Sequence, residues 1–157
     1  GIDIVEISSI SRSIDDDEMC KLIKYISSKG IKVINEIGVA YAHSKVDDKS
    51  IFIQRLLNQS KKFLNAGTWK ILLESEGLTE NMNKENYRWI IIDNIISPLE
   101  LSNFMVEADD QDVLSKYIEI YGPNINMMVD HTRLLKMEDA RLGYGPSQFL
   151  WGKVVKY

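Results

Sequence analysis

Apolar, β-branched runs alternate with segments of helical spacing along this chain, and no other feature restricts the fold as much. The strand-like runs are 4–7, 31–38, 69–77, 103–110 and 125–131. Between them lie helical patterns. Asp15, with Glu18 three residues on, forms a capping-box start, and apolar residues follow at 19, 22, 23 and 26 before Gly30. Residues 50–66 place Ile53, Leu56, Leu57, Phe63 and Leu64 on one side and stop at Gly67. A third helix is expected over 86–96, closed by Ser97 and Pro98. A fourth spans 110–121 and ends at Gly122-Pro123. A short fifth spans 134–143. Five strand–helix units in succession imply a parallel α/β sheet, covered by helices on both faces or closed into a barrel. The runs are apolar rather than strictly alternating, which predicts parallel strands buried on both faces.

Each strand-like run also delivers an acid at or near its C-terminal end: Glu6, Glu36, Glu74, Glu107 and Asp130. In parallel α/β folds these ends open on one face, the face that carries the active site. Carboxylates gathered there repel one another unless a cation, a proton or a basic partner intervenes. An oxygen-ligand site of the Mg2+ type answers that need. Taken singly, each acid has an alternative role, capping the next helix or pairing with a lysine.

His131 follows Asp130 directly, which puts it at the same rim, either touching substrate or bonding to the helix that follows. The polar stretch 38–49 carries His43, Lys45 and Lys49, and long loops of this kind can close over a barrel mouth. His43 reads as a solvated loop residue. Gly143, Gly145 and Pro146 form a turn, and the chain contains no GxxxxGK phosphate loop. Trp69, Trp89 and Trp151 read as core residues. Asp15, Asp16 and Asp17 favour a helix N-terminus.

Composition narrows the function. At 157 residues the chain reads as a single α/β domain over 1–157, with 45% hydrophobic residues and a net charge of −4. No basic cluster favours nucleic acid, and no apolar run reaches the ~20 residues of a membrane span. The single cysteine, Cys20, makes no internal disulfide, fits a reducing cytoplasm and reads as half-buried. No signal peptide opens the sequence; its start at GIDIVEIS, without Met, suggests a fragment or a processed chain.

Several stretches resemble the phosphosulfolactate synthase family: VEIS at 5–8, NEIG at 35–38, NAG at 65–67, ESEGLTEN at 74–81, MVEAD at 105–109, YGPNINMMVDHTR at 121–133 and WGKVVKY at 151–157. They are most similar to a branch that includes bacterial relatives and a plant heat-stress-associated protein, rather than to the archaeal enzymes of coenzyme M biosynthesis. The resemblance implies a (βα)8 barrel of the TIM type, of which this chain covers about five units, resembling the C-terminal five with the first three absent. It implies a carbon–sulfur bond-forming lyase that uses Mg2+ to add sulfite to phosphoenolpyruvate, giving (2R)-phosphosulfolactate. Charge that develops on the substrate carboxylate would be stabilised by the metal, and a general acid would protonate the central carbon.

The family places a lysine pair just after the second strand of this chain, and its second lysine is the candidate acid. Val39 and Ala40 stand there, so Lys45 and His131 become the candidate proton donors. Likewise, Ser75-Glu76-Gly77 stands where the archaeal pattern has an Arg-Glu-Ser-Gly run. Two further readings accompany the enzyme: a non-catalytic relative that binds a partner or regulates, and a half-barrel completed by a homo-oligomer or a complementing chain.

Overall fold

The computed structural model describes residues 1–8, 14–38 and 49–154. The strands are β1 (Ile4–Ile7), β2 (Lys32–Ile37), β3 (Lys70–Leu73), β4 (Phe104–Glu107) and β5 (Met127–Met128). The helices are α1 (Asp16–Ser27), α2 (Lys49–Ala66), α3 (Trp89–Ile96), α4 (Gln111–Tyr121) and α5 (Leu134–Arg141). The strands follow one another in the sheet in chain order, β1-β2-β3-β4-β5, and the pairings β1–β2, β2–β3 and β4–β5 are parallel. This is the α/β succession expected of part of a (βα)8 barrel. The chain forms two compact units, Gly1–Phe104 and Met105–Tyr157.

The first unit is built on the register of β1, β2 and β3. Glu6 pairs with Ile34, and Ile34 with Lys70. Side chains alternate along a strand, so Ile4, Glu6, Lys32, Ile34, Glu36, Lys70 and Leu72 share one face. The opposite face presents Val33, Ile37, Ile71 and Leu73, all fully buried. Helix α1 packs on β2, and α2 on both β2 and β3. Met19 and Ile23 of α1, Phe52, Leu56 and Phe63 of α2, and Ile91, Ile92 and Ile95 of α3 complete that core.

The caps follow local chemistry. The Asp15 carboxylate accepts the Glu18 amide at 2.8 Å, the expected start of α1. Gly67, at φ +110°, turns the chain after α2, a conformation that glycine adopts without a Cβ penalty. In the second unit the Asp110 carboxylate accepts the Val113 amide at 2.8 Å and starts α4. Val113, Leu114, Tyr117 and Ile118 of α4 and Val106 of β4 are buried in this unit.

Several expectations need correction. Strand β1 is not buried on both faces: Ile4 is 44% exposed and Glu6 is exposed, and among the described residues β1 pairs with β2 alone. In helix α2 Leu56, Leu57 and Phe63 are buried as expected, but Ile53 and Leu64 are only half-buried and Phe52 is buried in addition. Helix α3 begins at Trp89 rather than 86, because Lys84–Asn86 forms a separate 3-10 turn and the Arg88 amide bonds the Leu78 carbonyl. Strand β3 stops at Leu73, and β5 is only two residues long. Trp69 and Trp151 are exposed and Trp89 is half-buried, so none of the three is a core residue. The ammonium groups of Lys32 and Lys70 lie 4.5 and 5.2 Å from the Trp69 ring centroid, a cation–π arrangement that an exposed indole supports. Cys20 is half-buried, as expected.

Phe52 is 1% exposed at the centre of the first unit's core. Phe52→Ala is therefore expected to destabilise the chain by roughly 3–5 kcal/mol, read from the shift of a chemical-denaturation midpoint. A loss below about 1 kcal/mol would show that the site collapses around the cavity or is not part of the core.

Candidate active site at the strand ends

The acids of the first unit lie on the sheet face defined by the β1–β3 register. Glu6 is the third residue of β1 and Glu36 the fifth of β2. Glu6 stands opposite Ile34, and Glu36 opposite Leu72. Glu74 directly follows β3, and its amide continues the ladder by donating to the Ile37 carbonyl at 3.0 Å. The three acids therefore share a face but not a row, each standing two residues beyond its neighbour's level. Gly38, at φ +100°, sits against this point: a Cβ there would meet the Glu74 Cβ at 3.5 Å. The positive φ selects glycine at the end of NEIG, while the approach itself is an ordinary van der Waals contact.

The segment after Glu74 is a compact turn organised by one residue. The Ser75 carbonyl accepts the amides of Leu78, Thr79 and Glu80 at 2.9, 2.9 and 3.1 Å. The Ser75 hydroxyl donates to Glu80 Oε2 at 2.9 Å. Gly77 takes φ +73° and Asn81 φ +58°, which lets the turn reverse so tightly. Arg88 pins it from outside: its guanidinium donates to the Gly77 carbonyl at 2.6 Å and its amide to the Leu78 carbonyl at 2.9 Å. As a result Glu74 and Glu80, both half-buried, offer carboxylate oxygens within 4.8 Å of each other. Two carboxylates so placed are hard oxygen donors and form a candidate cation site. Glu80 and Ser75 were not singled out from sequence. The ESEGLTEN stretch that contains them was, and its glycine and closely spaced acids were the available signal.

Of the other predicted ligands, Glu6 is exposed and Glu36 half-buried. In the second unit Glu107 is the last residue of β4 and half-buried, on the face opposite Phe104 and Val106. Burial pushes the nearby Tyr117 hydroxyl well above the ordinary phenol range, with Tyr121, Asp109 and Glu107 adding to the shift, so it stays neutral. Asp130 follows β5 and caps the 3-10 turn His131–Arg133. One of its oxygens accepts the Thr132 hydroxyl at 2.6 Å and the Thr132 amide at 2.8 Å. The Thr132 contacts hold the Asp130 carboxyl below the usual carboxylate range. The second Asp130 oxygen lies 3.5 Å from His131 Nδ1, and the His131 side chain is 87% exposed. Among the described residues, Glu6, Glu36 and Asp130 fall in no cluster of three acid or imidazole ligands within 4.8 Å. Lys45, His43, Val39 and Ala40 lie outside the described residues.

Among the described residues no helix is long and apolar enough to cross a membrane. Comparison with known proteins gives the family. A family model described as (2R)-phospho-3-sulfolactate synthase (ComA) matches residues 1–145. The chain is also 22% identical over 158 residues to the protein HEAT-STRESS-ASSOCIATED 32 of Arabidopsis thaliana, a match that takes in 90% of this chain and 54% of the relative. The chain thus spans about half the length of that curated relative. With a match that takes in both units up to the end of α5, the chain belongs to the (2R)-phospho-3-sulfolactate synthase family.

Proposed function

We propose that this chain carries the Mg2+-dependent addition of sulfite to phosphoenolpyruvate, giving (2R)-phosphosulfolactate. The observation that carries the reading is the Glu74–Glu80 carboxylate pair at the C-terminal end of β3 in a chain of this family. The donor set is hard oxygen throughout, which fits Mg2+. Glu74 and Glu80 are the proposed first ligands, and the strand-end acids Glu6, Glu36, Glu107 and Asp130 are the candidates for the remaining positions. When bound, the ion would supply Lewis-acid stabilisation of negative charge on the substrate.

The chain's own residues have two further tasks. Phosphoenolpyruvate and sulfite are both anions, so a rim of glutamates must be neutralised before it accepts them. The new carbon–sulfur bond forms at the substrate methylene carbon, and the central carbon then takes a proton. Lys45 and His131 are the proposed donors, as ammonium or imidazolium, because Ala40 occupies the family's lysine position and carries no proton. The His131 side chain is exposed to solvent. The active species is proposed to be a homo-oligomer or a complex with a complementing chain, acting in the cytoplasm. A non-catalytic role in binding or regulation is the second reading, favoured by Val39 and Ala40.

Isothermal titration of phosphoenolpyruvate into the purified chain, with and without Mg2+, tests the first reading. Mg2+-dependent binding followed by sulfite consumption is the expected result. Binding without sulfite uptake would move the reading to another nucleophile, and no binding by a folded chain would leave the non-catalytic reading in place. If turnover is seen, replacing the true donor, by Lys45→Ala or His131→Ala, is expected to lower kcat about 10²- to 10⁴-fold while phosphoenolpyruvate binding persists. A variant that turns over like the parent removes that residue from the role.

A further inference from the structure

We infer that Ser75 is a positioning residue that sets Glu80 for metal binding. The inference rests on the reading above, that Glu74 and Glu80 hold a divalent cation. Ser75 is 1% exposed, between Glu74 and the turn that carries Glu80. It grips Glu80 twice: its carbonyl accepts the Glu80 amide at 3.1 Å, and its hydroxyl donates to Glu80 Oε2 at 2.9 Å. The backbone contact fixes where the Glu80 side chain starts, and the hydroxyl contact fixes where its carboxylate ends.

That double hold has a specific physical purpose in the reading. Two carboxylates within 4.8 Å repel, and a glutamate on a surface turn relieves the repulsion by rotating into water. The Ser75 hydroxyl opposes that rotation with a hydrogen bond to a charged acceptor, the stronger class of hydrogen bond. It takes one Glu80 oxygen and leaves the other for a ligand, as outer partners of metal-binding carboxylates generally do. Ser75 touches neither metal nor substrate in this scheme and acts only through Glu80.

The test is a double-mutant cycle read by metal affinity rather than by activity. Mn2+ is titrated into the full chain and followed by electron paramagnetic resonance, with circular dichroism to establish that each variant is folded. Ser75→Ala is expected to weaken Mn2+ binding about 10- to 100-fold, the usual effect of losing an outer-sphere partner. In a Glu80→Gln background the same Ser75→Ala change is expected to have no further effect, since the group it acts through is gone. Unchanged Mn2+ affinity in Ser75→Ala overturns the inference. So does an equal loss in both backgrounds, which marks a general structural role. Should Ser75→Ala fail to fold, Ser75→Cys keeps the size with a weak donor and carries the same expectations. Absence of Mn2+ binding in the parent chain, or binding that survives Glu74→Gln with Glu80→Gln, sinks the metal reading itself. That result is distinct from a failure of the Ser75 step alone.

Discussion

The register of the parallel ladder β1–β2–β3 is the constraint on which the first unit depends. Ile34 is held between Glu6 and Lys70, and Asn35 between Ile7 and Ile71. A slip of one residue in β2 would turn Val33 and Ile37 out of the core and drive Lys32 and Glu36 into it. Burying an unpaired lysine and an unpaired glutamate is prohibitive, so the slipped pairing does not compete. The same alternation that packs the core therefore also delivers the acids to the opposite face. Core and candidate site are two readings of one periodicity, and neither can be redesigned without disturbing the other.

How the site is finished depends on a different kind of interaction. Beyond β3 the ladder ends and side-chain chemistry takes over. The Ser75 carbonyl gathers three amides that no strand or helix satisfies, and Arg88 closes the turn from the start of α3. Every buried amide of such a turn needs a partner, and one carbonyl placed at its centre meets that need economically. Gly38, at the end of the neighbouring strand, packs against Glu74 and takes the positive φ that turns the chain there. The acid pair is thus held by a turn, a glycine and an arginine that lie close in space though up to fifty positions apart in sequence.

What could be read from sequence divides along the same line. The strand–helix succession, the Asp15 cap and the acids at the strand ends follow from local periodicity and capping chemistry, and the structure has them. The family is legible in the motifs and is matched over residues 1–145. Tertiary decisions escaped. Which side chains of α2 are buried depends on tertiary packing, and Phe52 is buried where the spacing favoured Ile53. The late start of α3 depends on Arg88 giving its amide to Leu78, ten positions back. Glu80 was not singled out, because its place rests on contacts with Ser75 and Glu74 that no periodicity encodes. The tryptophans were assigned to the core by size alone, whereas Trp69 is stabilised at the surface by two ammonium groups.

Those ammonium groups have a further consequence. On the acid-bearing face of the first unit, Lys32 and Lys70 stand at the beginnings of β2 and β3, and Glu36 and Glu74 at or just beyond their ends. The face is charged like a dipole laid along the strands, positive at the entry of the chain and negative at its exit. An anion diffusing toward the glutamate end meets a repulsive field that extends about a Debye length, ~8 Å at physiological ionic strength. A divalent cation would meet the opposite field, so in the proposed reaction this polarity favours binding of the cation before the anion.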